Sequence, residues 1–241
     1  MEKKCTAILL AAGKGSRMQS RTKKQFLDLC GTTVLSYSLK CFERSHYIDD
    51  IVIVSDQDDI RVCQEMVQDL KCAKVSGIVS GGEQRYDSVY MGLCACRPDT
   101  DFVLIHDGAR PFVTEDMIMR TLEAAFETGA GVAGMPAKDT VKLVDSLGNV
   151  ELTPDRKKIW LVQTPQTFRF TKIKEAYDAM MRTDEKAGIT DDAMVAERAG
   201  MKVRMVEGSY RNIKLTTPED LVIAEAFVWQ GSRKEKNKNN D

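Results

Sequence analysis

The chain has 241 residues, 43% hydrophobic and 29% charged, with a formal net charge of -1, enough for one large α/β domain around a substantial core. So balanced a charge supplies no global field for nucleic acid or an acidic membrane, and any polyanionic ligand has to be held by local charge. No run approaches the ~20 apolar residues of a bilayer span, and the N-terminal apolar segment is too short for a signal peptide, so the reading is a soluble, cytoplasmic protein with no nucleic-acid or membrane partner.

The first element is an apolar run from Ala7 to Ala12 without polar alternation, the signature of a strand buried on both faces of a parallel sheet. It breaks into Gly13-Lys14-Gly15-Ser16-Arg17-Met18, followed by Lys23-Lys24-Gln25. Glycines let the backbone turn tightly and approach a ligand. Exposed amides leading into a helix favour anions, and Arg17 and Lys24 add fixed positive charge. Met18 stands where a dinucleotide fingerprint wants glycine or alanine, and no Walker A spacing is present. A tight turn with solvated basic side chains explains the same residues without a ligand.

Helical spacings near 33–45, 57–70 and 83–97 then alternate with buried runs at Ile51–Val54 and Phe102–Ile105. Gly81-Gly82-Glu83 opens the third helix, with Ser88 within it; a plain strand-to-helix turn accounts for it nearly as well. His106-Asp107-Gly108-Ala109-Arg110 ends the run from Phe102. A carboxylate there sits at the crevice mouth, where magnesium takes one or two carboxylates and completes its shell with phosphate oxygens and water. Arg110 suits bidentate phosphate recognition, although a salt-bridged turn is an equal explanation, and His106 reads as structural. A helix near 115–129 leads to a short strand, Gly131–Met135. This alternation predicts an α/β fold: a Rossmann-like, mostly parallel sheet with helices on both faces and its crevice at the carboxyl ends of the strands.

Residues 136–162 break the rhythm. Val141–Val144 and Val150–Leu152 flank a glycine-containing turn, a hairpin signal. Such an arm, about 137–160, cannot bury both its faces alone and packs most simply on a second copy. Thr140 and Arg156 lie near its ends and Thr164-Pro165-Gln166 follows its return strand. Helices near 171–183 and 190–199 come next, Thr190-Asp191-Asp192 reading as an N-cap. Then come a strand at Val203–Val206, Asn212-Ile213-Lys214 and a last helix from about Pro218 to Trp229. Residues 1–230 read as one domain and the lysine-rich 231–241 as a disordered tail. All seven cysteines lie before residue 97; their odd number argues against a disulfide framework, and Cys94-Ala95-Cys96 is not a zinc spacing.

Taken in order, Ala11-Ala12-Gly13-Lys14-Gly15-Ser16-Arg17-Met18, Lys24-Gln25, Gly81-Gly82, His106-Asp107-Gly108-Ala109-Arg110-Pro111-Phe112, Asp139-Thr140-Val141-Lys142, Gln163-Thr164-Pro165-Gln166, Thr190-Asp191-Asp192-Ala193 and Asn212-Ile213-Lys214 resemble the 2-C-methyl-D-erythritol 4-phosphate cytidylyltransferase family. Each piece is weak alone; the ordered set, from residue 7 to about 228, is specific. The resemblance implies transfer of CMP from CTP to 2-C-methyl-D-erythritol 4-phosphate in non-mevalonate isoprenoid synthesis, with Mg2+, in a homodimer. Within it, Arg17 and Lys24 hold the triphosphate and stabilise the reacting α-phosphate, and Asp107 is the magnesium ligand. Ala11, Ala12, Gly13, Gly15, Gly82, Glu83 and Ser88 contact the nucleotide. Asp107, Arg110, Thr140, Arg156, Thr164, Thr190 and Lys214 surround the alcohol phosphate, Thr140 and Arg156 serving the neighbouring subunit. The family commonly has proline where this chain has Lys23; Lys24 is kept as the inward lysine because Gln25 and Phe26 fix the register. A cytidylyltransferase for another sugar-alcohol phosphate, such as ribitol 5-phosphate, is the nearest alternative.

Overall fold

The computed structural model describes residues 3–13, 22–183 and 186–238. In chain order the elements are β1 (Cys5–Ala11), β2 (Asp28–Leu29), β3 (Thr32–Thr33), α1 (Val34–Arg44), β4 (Asp50–Ser55), α2 (Ile60–Asp69), β5 (Val75–Ser80), α3 (Arg85–Ala95), β6 (Phe102–Asp107), α4 (Glu115–Thr128) and β7 (Gly129–Pro136). The arm follows as β8 (Leu143–Val144) and β9 (Val150–Leu152), and then β10 (Trp160–Arg169), α5 (Phe170–Met181), α6 (Asp192–Arg198), β11 (Lys202–Glu207) and α7 (Pro218–Lys238).

One seven-stranded sheet runs β11-β7-β10-β6-β1-β4-β5. Every neighbouring pair is parallel except those made by β10, which runs antiparallel to both β6 and β7. Alternation along the central strands feeds two cores. Ala7, Leu9, Ile51, Ile53 and Leu104 pack with Leu35, Leu39 and Phe42 of α1, Cys63 of α2 and Ile118 of α4. Ile8, Val52, Val54, Val103 and Ile105 pack on the opposite face with Val89 of α3, Ile173 and Tyr177 of α5 and Val195 of α6. Apolar residues at every position of these strands therefore reflect a sheet covered on both sides.

The chain winds from β1 outward to β5 and then returns to β6 on the other side of β1, which creates a switch point between β1 and β6. Register makes the two strands end level: Leu10 pairs with Asp107, and the Gly108 N–H donates to the Leu10 carbonyl at 2.9 Å. The turns after both strands accordingly open into the same crevice.

Two expectations need correction. The segment after the arm does more than return from it, because β10 fills the central gap between β6 and β7. Four of its buried residues are polar (Gln163, Thr164, Gln166 and Thr167), although Phe168 is apolar, so it lacks the sustained apolar signature on which strand recognition rests. The last helix also continues past Trp229 to Lys238, where a disordered tail was expected. Lysine, arginine and glutamate are good helix formers, so the composition after Trp229 does not itself end a helix.

α4 shows how closely the layers fit. Thr114 caps its first turn by accepting from the Met117 N–H, and Gly129 ends it at φ 95°. The helix then lies so near β7 that a Cβ on Gly131 would meet the Thr121 carbonyl and come within 2.7 Å of the Ala124 Cβ. We expect Gly131→Val to lower stability by about 1–3 kcal/mol, measured by urea unfolding; an unchanged midpoint would contradict this packing.

Candidate active site

The glycine turns place the crevice walls. Gly81 lies where a Cβ would approach the Ala12 Cβ at 2.7 Å and the Ser88 Oγ at 2.6 Å, so the turn after β5 can close on the end of β1 only without a side chain. Ser88 fixes that turn by accepting from the Gly82 N–H at 3.2 Å. Beside it opens a cavity of about 310 Å³ lined by Ala12, Gly13, Lys24, Gly82, Glu83 and Ser88, and also by Arg85, Asp107 and Lys214. A second cavity of about 260 Å³, lined by Arg110, Thr164 and Thr190, adjoins it and shares Arg85, Asp107 and Lys214.

Most of the expected residues are thus brought together. Ala11 lines neither cavity; its carbonyl accepts from the buried Gln25 side chain. Gly15 and Arg17 lie outside the described residues. Thr140 and Arg156 are exposed on the arm and line neither cavity, the Arg156 guanidinium donating to the Lys138 carbonyl at 2.6 Å. Of the adjacent lysines, Lys24 lines the first cavity, whereas the Lys23 ammonium pairs with Asp56 and Asp59.

Asp107 is the electrostatic centre. It is 7% exposed, and its carboxylate receives the Lys214 ammonium at 2.7 Å and the Arg85 Nε at 3.2 Å, with the Arg110 Nε at 3.9 Å. Burial alone would raise its carboxyl pKa; Arg85, Lys214 and Arg110 outweigh burial and hold it well below the usual carboxylate range. The Arg110 Nε makes no hydrogen bond although it is buried, while the same guanidinium donates to the Asn212 carbonyl at 2.7 Å. It is anchored there and, at 3.5 Å, by the Val162 carbonyl, and it lines the second cavity beside Asp107.

Arg85, Asp192 and Gln166 were missed as site residues. Arg85 binds Asp192 through both terminal nitrogens, at 2.9 and 2.8 Å, while its Nε reaches Asp107. Asp192 is fully buried and also accepts from the Tyr177 hydroxyl at 2.6 Å. Asp191 is the N-cap, accepting from Met194, as the sequence suggested for this stretch; its neighbour turns inward instead. Gln166 of β10 completes the join, its amide oxygen accepting from the Asp192 and Ala193 N–H groups at 3.1 and 2.9 Å. The position of Arg85 at the start of a helix facing the crevice was the available signal; the pairing itself spans 107 residues of sequence.

His106 is structural. The Arg110 carbonyl can only accept, so Nε2 carries the proton and donates to it at 3.0 Å, and Nδ1 accepts from the Thr164 hydroxyl at 3.0 Å. Thr164 Oγ1 in turn accepts from the Asp107 N–H at 3.1 Å. Burial lowers the imidazole to about 4, against the opposing pull of the Arg110 carbonyl and Asp107. A histidine held neutral in the fold and basic when unfolded contributes stability that is lost as pH falls through the unfolded value of ~6.5. Between pH 7 and 5, above the range of ordinary carboxylates, we expect a loss of about 2 kcal/mol in urea titrations; a flat profile would contradict a neutral His106.

Two anion-ready cavities that share a carboxylate and a lysine suit a reaction joining two phosphorylated molecules, the work of a nucleotidyltransferase. Comparison with known proteins makes the class specific. The chain belongs to the 2-C-methyl-D-erythritol 4-phosphate cytidylyltransferase family, whose sequence profile matches residues 5–230. It is 46% identical to the Geobacter metallireducens enzyme of that name over 226 residues, covering 92% of this chain and 96% of the other. Identity to the Clostridium botulinum enzyme is 45% over 225 residues, covering 93% and 97%. The solved structure of 4-diphosphocytidyl-2C-methyl-D-erythritol synthase from Anaerococcus prevotii superposes with a TM-score of 0.85 at 33% identity, covering 95% of this chain and 97% of that one.

Proposed function

We propose that the chain transfers CMP from CTP to 2-C-methyl-D-erythritol 4-phosphate, releasing pyrophosphate, with CTP in the cavity between the β1 and β5 turns and the alcohol phosphate in the one beside Arg110. The observation that carries this arrangement is the meeting of the two cavities at Asp107 and Lys214. A phosphate oxygen of the alcohol substrate attacks the α-phosphorus of CTP; the new P–O bond forms as the bond to the β-phosphate oxygen breaks. The second pKa of a phosphate monoester is ~6, so near neutral pH the nucleophile is already ionised and no general base is needed. A neutral, enclosed His106 fits that economy, and none of the seven cysteines lines either cavity.

The protein's task is then to align two polyanions and offset their repulsion. Lys24 and Arg17 are assigned to the triphosphate, Lys214 and Arg110 to the incoming phosphate, and backbone groups of Ala12, Gly13 and Gly82 to the base and ribose. Asp107 is the carboxylate common to both cavities, and the described residues contain no cluster of three histidine, cysteine or carboxylate groups. A single carboxylate fits a magnesium ion that arrives mostly ligated by phosphate oxygens and water. When bound there, the ion would neutralise phosphate charge. We expect Lys24→Ala and Arg17→Ala each to reduce turnover on the order of 10²- to 10³-fold, measured by pyrophosphate release with CTP and a divalent cation, with the fold intact. Near-normal rates in both would remove the role assignment.

The exposed apolar residues of the arm suit a homodimer, and the protein is assigned to the cytoplasm. Leu147 is 85% exposed and Val150 58% exposed, with Leu143, Val144 and Leu152 beside them. Apolar groups so placed on a thin hairpin suit a second copy of the chain, and that arrangement gives Thr140 and Arg156 to the neighbouring subunit's alcohol-phosphate site. Sedimentation equilibrium is expected to show a dimer, and Leu147→Asp with Val150→Asp to shift it toward monomer and slow turnover. A monomeric unmodified protein would refute the cross-subunit assignment.

A further inference from the structure

Lys23 and Lys24 are consecutive yet serve opposite sides of the backbone. Lys24 faces the nucleotide-side cavity. The Lys23 ammonium lies 2.6 Å from Asp59 Oδ2 and also binds Asp56. Both acids belong to the connection between β4 and α2, Asp56 directly after the strand and Asp59 directly before the helix, and neither lines the two crevice cavities.

The pair differs from a solvated surface contact. Side-chain exposures are 27% for Lys23, 22% for Asp56 and 18% for Asp59, against 86% and 60% for the surface pair Arg61–Glu65. Partial burial would lower the Lys23 ammonium pKa, but its hydrogen bonds to both carboxylates outweigh burial and raise it, so the cation is retained. On the far side of Lys24 stands a second anchor. Gln25 is 1% exposed and donates to the Ala11 carbonyl, and the Phe26 N–H donates to the Lys23 carbonyl at 2.9 Å. Lys24 therefore sits between two residues tied to different strands, β4 through Asp56 and β1 through Ala11.

We propose that Lys23 is a positioning residue, its ammonium clamped by Asp56 and Asp59 so that the backbone aims Lys24 at the nucleotide. The proposal rests on the assignment of Lys24 to the triphosphate. A residue that acts this way changes the rate through geometry, and small displacements of a reacting group are costly.

The backbone at Lys23 has φ -64° and ψ 142°, values that proline adopts by itself. Proline can thus restrict this position without any charge, which separates a positioning role from a direct electrostatic one. The experiment compares the full-length unmodified protein with Lys23→Ala, Lys23→Pro, the double variant Asp56→Asn with Asp59→Asn, and Lys24→Ala. CTP and 2-C-methyl-D-erythritol 4-phosphate are varied separately, and thermal unfolding checks each fold. Lys23→Ala and the double aspartate variant are expected to lower kcat about tenfold, with KM for the alcohol phosphate unchanged. Lys23→Pro is expected to recover most of that loss. An unchanged kcat in Lys23→Ala, or Lys23→Pro as slow as Lys23→Ala, overturns the clamp. If Lys24→Ala stays fully active, the catalytic assignment falls and the clamp loses its target; if Lys24→Ala is nearly inactive while Lys23→Ala is normal, the clamp alone falls.

Discussion

A carboxylate almost removed from water stays ionised only where cations reach it, and Asp107 is reached by Lys214, Arg85 and, at longer range, Arg110. Each cation comes from a different part of the chain: the stretch before α7, the start of α3 and the turn after β6. Satisfying one charge therefore fixes three segments at the mouth of the sheet. Removing one of them leaves a buried charge with fewer counterions and little water to replace them, a larger penalty than the loss of a surface pair. Arg85 extends the constraint inward, because its other nitrogens are committed to the fully buried Asp192. The start of α6, just after Thr190, is in this way tied to the start of α3, which follows Gly82 and Glu83.

The antiparallel β10 serves the same end. A strand arriving from the arm and running against β6 brings its polar middle to the level at which β6 finishes, Gln166 pairing with Ile105. Thr164 can then bridge the Asp107 N–H and His106. Gln163 and Asn212 join the strand to the segment ahead of Lys214: the Gln163 amide donates to the Ser209 carbonyl at 2.8 Å and the Asn212 amide to the Thr164 carbonyl at 2.8 Å. Apolar residues here would fill the space and lose this directionality. Buried polar groups demand particular partners, and those demands set the angle at which Lys214 and Arg110 meet the crevice.

This division explains what could be read from the amino acids. Central strands covered by helices on both faces show as uninterrupted apolar runs, so β1, β4 and β6 and the helices between them were visible, as were the glycine turns and Asp107 at the strand ends. β10 was not, since a strand that buries threonine and glutamine carries neither a continuous nor an alternating apolar pattern. The inward turn of Asp192 escaped for a related reason: two adjacent aspartates at a helix start both resemble caps, and only the distant Arg85 distinguishes them. Local patterns report local preferences, whereas a charge pair closed by tertiary contact leaves no trace in spacing. The pairing of Lys23 with two aspartates 33 and 36 positions away was of that kind.

The same reasoning bears on why the site holds so many cations and so little acid–base equipment. Two phosphorylated substrates bring their own nucleophile and their own leaving group, so the barrier the protein can lower is chiefly electrostatic and entropic. Cations left free to move would collapse onto the nearest carboxylate or be screened by solvent. Here Arg85 and Lys214 are held by Asp107, and Arg110 is held by the Asn212 carbonyl while it lines the second cavity. A donor already held in place need not reorganise when negative charge develops in the transition state. The buried network behind the crevice matters to that geometry, because Asp192 binds Arg85, Gln166 binds the backbone at the start of α6, and the Asn212 carbonyl holds Arg110.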